Sequence, residues 1–176
     1  MRILHRPTVF AAALLLLPAA LQAQEPQKPP PLLVPPSGKL EIRLLVTDEP
    51  NKVFRPAKGA NGQSDLAQPA KVVPKGKQIV AVVFFQGCQA NPAGNCDLDV
   101  DLKAVDPQGT AVQDHKAAKL WPNRPAPRAG LVQLGSAYMK LQFEPNDPPG
   151  IYRVLAVAHD RVGGTEASSE ASFEVK

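Results

Sequence analysis

From residue 39 onward, hydrophobic and polar positions alternate with a period of two, the period of a half-buried β-strand. Leu40, Ile42, Leu44 and Val46 mark it in residues 39–47, and Leu98, Val100 and Leu102 in residues 97–105. Met139, Leu141 and Phe143 repeat it in residues 137–143, and Ala171, Phe173 and Val175 in residues 169–176. Residues 79–85 break the rule: seven apolar side chains stand in a row, rich in β-branched and aromatic types. That is the pattern of a central strand covered on both faces, and Lys75 and Lys77 flank it as gatekeepers against aggregation. Residues 131–134 and 151–159 read as further strands, with short ones near 70–73 and 110–112. The Gly-, Pro- and Asn-rich stretch 48–76 and the Pro-rich stretch 114–130 read as irregular connections. About seven short strands between turn signals predict an all-β fold, a β-sandwich.

The N-terminus follows a different pattern. Arg2 and Arg6 precede an apolar run from Val9 to Leu21, and small Ala23 precedes Gln24. This is the three-part layout of a secretory signal peptide over residues 1–23. The run is shorter than the ~20 residues of a spanning helix, and no cysteine offers a lipid attachment point. Residues 24–38 hold six prolines. They lack donors for a ladder, so the segment reads as an extended Pro-rich tether. The expected organisation is signal peptide 1–23, tether 24–38 and one sandwich domain 39–176. The expected location is the periplasm or the medium, with no membrane span after cleavage.

Charge narrows the partners. The 176-residue chain carries 20 Lys and Arg against 16 Asp and Glu. Two of the cations lie in the signal segment, so the remainder is nearly balanced. Without a concentrated basic face, a nucleic-acid partner is not expected. Phosphate-binding loops, H-E-x-x-H and a G-x-S-x-G elbow are all missing, and no cofactor is expected.

Four groups of residues invite chemistry. Cys88 and Cys96 are an even, closely spaced pair, which in an oxidising compartment reads as a structural disulfide. Asp97, Asp99 and Asp101 share one strand face. Alternation makes that face solvated, yet paired carboxylates there would also suit a secreted hydrolase or carbohydrate-active module. A calcium site needs converging oxygens, which a straight strand does not supply. Ser136 with His115 or His159 and an aspartate supplies the residue types of a hydrolytic triad without its motif. Trp121 with Arg124 and Arg128 is the candidate partner-binding group, since Trp and Arg are enriched in binding hot spots. The competing role for Trp121 is to cap one end of the core.

Residues 144–164 and the final strand resemble the last two strands of an immunoglobulin-like domain. A Pro-Gly-x-Tyr turn, Pro149 to Tyr152, leads into a strand whose early tyrosine suits a tyrosine corner. The general match is to bacterial exported immunoglobulin-like domains of the fibronectin-III or macroglobulin-like kind. The whole mature chain, after residue 23, also resembles small exported proteins of proteobacteria that share the FF-x-G-C…G-N-C-D-x-x-V-D segment. The resemblance implies an immunoglobulin-like β-sandwich and no particular activity. The reading is a non-enzymatic exported domain that binds a protein or cell-envelope component through its loops. The alternatives are the hydrolase above and a purely structural envelope domain.

Overall fold

The computed structural model describes residues 39–55 and 65–176, and the expected signal peptide and tether lie outside them. Among these described residues eight strands follow in order: β1 (Glu41–Thr47), β2 (Val72–Val73), β3 (Gln78–Gln86), β4 (Asn95–Val105), β5 (Ala111–Pro125), β6 (Gln133–Gln142), β7 (Gly150–Asp160) and β8 (Thr165–Val175). A short helix, α1 (Pro50–Phe54), lies in the connection after β1. Among the described residues no helix is long and apolar enough to cross a membrane.

The strands form two sheets, β1-β3-β6 and β2-β8-β7-β4-β5. All pairings are antiparallel except the two-residue β2, which runs parallel to the end of β8. Setting β2 aside, the first, second and fifth long strands face the third, sixth and seventh, which is the immunoglobulin-like order. Tyr152 completes the tyrosine corner by donating its hydroxyl to the Pro148 carbonyl at 2.9 Å. The all-β, immunoglobulin-like sandwich read from the sequence is the observed fold. The departure is β5, which pairs with β4 instead of joining β6.

Alternation built the core as expected. Ile79, Ala81, Val83 and Phe85 of β3 meet Leu98, Val100 and Leu102 of β4 in one buried cluster. Val80 and Val82, on the other side of β3, are buried as well. The outer face of that sheet is therefore partly covered. There Phe54 of α1 packs edge-on against Tyr138, with ring centroids 5.4 Å apart.

Two expectations fail. Residues 114–130 are irregular only at their end, because β5 runs fifteen residues, from Ala111 to Pro125. Ala117 and Asn123 have positive φ (49° and 41°), and the β4–β5 register shifts repeatedly. Such bulges destroy a period of two. Pro122 and Pro125 are tolerated because β5 is an edge strand. Residues 131–143, read as two strands, hold the single strand β6, with Leu131 exposed in the turn before it.

Candidate functional site

The three aspartates of β4 face β5, and β5 explains them. Ala117 donates its backbone N–H to Asp101 Oδ1 at 2.8 Å. Asn123 donates its own to Asp97 Oδ1 at 3.3 Å. These are the two positive-φ residues of β5. Bulging takes a residue's N–H out of the ladder, and a carboxylate on the neighbouring strand receives it at each. Between them Asp99 is bound by Lys119 Nζ at 2.8 Å and Arg161 Nε at 2.7 Å.

The solvated aspartate face expected from alternation is thus corrected. Asp99 is buried at 4% exposure, because Lys119 and Arg161 close over it from two directions. Burial works to raise its carboxyl, and the hydrogen bonds and charges of Lys119 and Arg161 outweigh it, holding the carboxyl below the usual carboxylate range. Asp101 is held low first by the Ala117 N–H and then by Lys116 and His159. Asp99 and Asp101, tied in this way, act as anchors of the sheet and are held toward the ionised form, away from the raised pKa of a general acid.

The triad residue types do not converge. Ser136 lies on the outer face of the three-stranded sheet, where its hydroxyl accepts from Arg124 at 3.3 Å. His159 lies on the outer face of the other sheet, with Nδ1 2.8 Å from Glu166 and Nε2 3.7 Å from Asp101. His115 Nε2 lies 3.0 Å from Gln113 Nε2 within β5. Among the described residues no three His, Cys, Asp or Glu side chains gather as metal ligands.

Trp121 and Arg124 do meet. Both lie in the C-terminal half of β5. Register shifts beside Leu98 let consecutive Leu120 and Trp121 both pack on the core. Leu120 is fully buried and fits because residue 135 is glycine: a Cβ there would stand 2.1 Å from Leu120 Cδ1. Trp121 packs edge-on against Phe85 at 5.2 Å and donates Nε1–H to the Pro125 carbonyl at 3.1 Å. The Arg124 guanidinium lies 4.4 Å above the indole, where cation–π attraction holds it. Trp121 therefore sets one edge against the core and one face beneath an exposed arginine. Arg128 is exposed in the turn that follows, where its carbonyl accepts from Leu131 N at 3.1 Å.

Cys88 and Cys96 form a disulfide that closes the β3–β4 loop. Beside it sits a residue the sequence reading passed over. Asp160, 3% exposed at the end of β7, accepts backbone N–H groups from Gln89, Val162 and Gly163 at 2.7, 3.0 and 2.9 Å. It ties the disulfide loop to the β7–β8 turn. A Cβ on Gly163 would stand 2.9 Å from Gln89 Cβ and 3.0 Å from Asp160 Oδ2, so only glycine fits there. The available signal was an aspartate placed just before a glycine turn, the usual setting of an Asx turn.

No family model and no curated protein matches the chain. Solved structures do. A family 123 glycoside hydrolase from Clostridium perfringens matches at 12% identity and TM-score 0.43, over 78% of this chain and 27% of that one. The CARDB domain of a Pyrococcus furiosus protein, solved with two metal ions, matches at 12% identity and TM-score 0.38, over 78% and 88%. An immunoglobulin-like protein from Pseudomonas aeruginosa matches at 19% identity and TM-score 0.34, over 78% and 97%. This chain therefore spans about a quarter of the hydrolase and most of the other two.

Proposed function

We propose that the protein is an exported, non-catalytic immunoglobulin-like module that binds a protein or cell-envelope component through the corner formed by Trp121, Arg124 and Arg128. The observation that carries this reading is the stacked Arg124–Trp121 pair. Arg124 is exposed, held in place by the indole, and among the described residues has no carboxylate partner. A preorganised arginine on an aromatic platform suits a planar acidic group on a partner at low entropic cost. Every aspartate of the rival hydrolase reading is already engaged within the fold. The signal-like N-terminus and the disulfide support export.

The test is crosslinked co-purification from an envelope extract with wild type and an Arg124→Glu/Arg128→Glu variant. Both arginines are exposed, so the variant keeps the core that Trp121→Ala would disturb. A partner captured by wild type should be lost by about tenfold or more in the variant, as for reversed charges at an interface. Equal capture by both proteins removes the corner as the binding site.

A further inference from the structure

A sandwich of two open sheets has strand edges to protect, and here they are treated unequally. On one side β1 and β8 lie against each other, and Leu44 N donates to Ser169 Oγ at 3.1 Å across the gap. On the other side β5 is blunted by its bulges, Pro122, Pro125 and the lysines Lys116 and Lys119. Its C-terminal half leans on the start of β6, with Leu120 over Gly135 and Arg124 bonded to Ser136. The rest of β6 has none of these devices. No strand pairs with its second edge among the described residues, it contains no proline, and its one charged residue is Lys140.

A cleft of about 260 Å³ runs along that open stretch. Val112 and Gln113 of β5 form one wall, and Lys140, Leu141, Gln142 and Phe143 the other. Tyr152 lies at its base, and Asp147 borders it with a carboxylate oxygen engaged by the Glu144 N–H at 2.7 Å. Val112 is 49% exposed, an apolar side chain facing open space. The Lys140 ammonium hangs 5.9 Å above the Tyr138 ring and, among the described residues, has no carboxylate partner.

We propose that the edge of β6 from Tyr138 to Gln142 takes up an extended, acidic segment of a partner protein as an added strand. Strand addition draws affinity from main-chain hydrogen bonds and specificity from pockets for alternate side chains. The pleat sets the pattern. Tyr138 and Lys140 point to the outer face, so residues beside them on the added strand are acidic. Met139 and Leu141 point inward, so the residues beside them on the added strand are apolar, and the one beside Leu141 enters the cleft. This deepens the proposed binding role and rests on it in one respect, that the domain works by holding a partner.

The probe is a labelled synthetic peptide of alternating Glu and Val or Leu, titrated into the full chain and followed by anisotropy and amide hydrogen exchange. The expected result is binding with slowed exchange confined to β6 around residues 138–142. Lys140→Glu should weaken it by about tenfold, while Lys103→Glu, on the outer face of the other sheet, should not. A peptide with Lys replacing Glu should fail to bind. Three results overturn the proposal: no slowed exchange on β6 at any peptide concentration, binding unchanged in Lys140→Glu, or β6 protection that rises with protein concentration alone. The last would make the occupant a second copy of this chain. These readouts are separate from capture by the Arg124/Arg128 corner, so either idea can fail while the other stands.

Discussion

Asp99 and Asp101 are the residues whose chemistry the fold changes most. Both carboxyls are held below the ordinary aspartate value of 3.8, Asp99 by Lys119 and Arg161 against its own burial, Asp101 chiefly by the Ala117 N–H. A carboxyl depressed in the folded state binds its proton more weakly there than in the unfolded chain. Its stabilisation is therefore complete above the unfolded pKa and is lost as pH falls through the lower folded one. Asp99→Asn should cost about 1–3 kcal/mol at neutral pH, because it replaces charge-assisted bonds with neutral ones. The gap to wild type should close on acidification below about pH 4. Urea denaturation at neutral and acidic pH checks this, and a gap that stays constant would mean that shape alone matters at position 99.

At the scale of elements, β5 shows what a strand can hide from its sequence. Leu120 reaches the core only because Gly135 on β6 leaves room and because bulges rotate the end of β5 toward the other sheet. Gly135→Ala should therefore cost about 1–3 kcal/mol by overpacking, and Leu120→Ala about 2–5 kcal/mol by opening a cavity. The double variant should cost less than the two together, since each change relieves the other. Additive costs in a thermal or denaturant cycle would show that the two sites do not share that space. The same strand explains which parts of the fold were legible. Residues 79–85 announced β3 because a strand buried on both faces writes itself as an unbroken apolar run. Ala117 and Asn123 concealed β5, since each extra residue resets the alternation that would reveal it. The aspartate ladder misled for a related reason. Alternation places Asp99 on the face away from the core, but Lys119 and Arg161, which bury it, come from 20 and 62 residues away. Trp121 and Arg124 were legible as a pair of residue types, while their stacking depends on a strand the pattern did not show.

For the whole molecule, the disulfide corner is where a covalent link stitches the two sheets, and it should govern how the protein opens. The disulfide closes the turn between β3 and β4, which belong to opposite sheets. Asp160 then fastens that turn to the β7–β8 connection through the Gln89 N–H. The first link limits the unfolded chain, whereas the second exists only in the folded one, so their removal should differ in kind. Replacing both cysteines by alanine should lower global stability by about 2–3 kcal/mol, the chain-entropy cost for so short a loop. Amides in the central strands β3, β4 and β7 exchange through global opening, so all of them should quicken by a common factor. Asp160→Asn should act first on the corner, releasing the Gln89, Val162 and Gly163 amides while the central strands change less. Native-state hydrogen exchange on both variants separates these outcomes. If the cysteine variant quickens only residues 88–96, the disulfide is a local brace and the sandwich holds together without it.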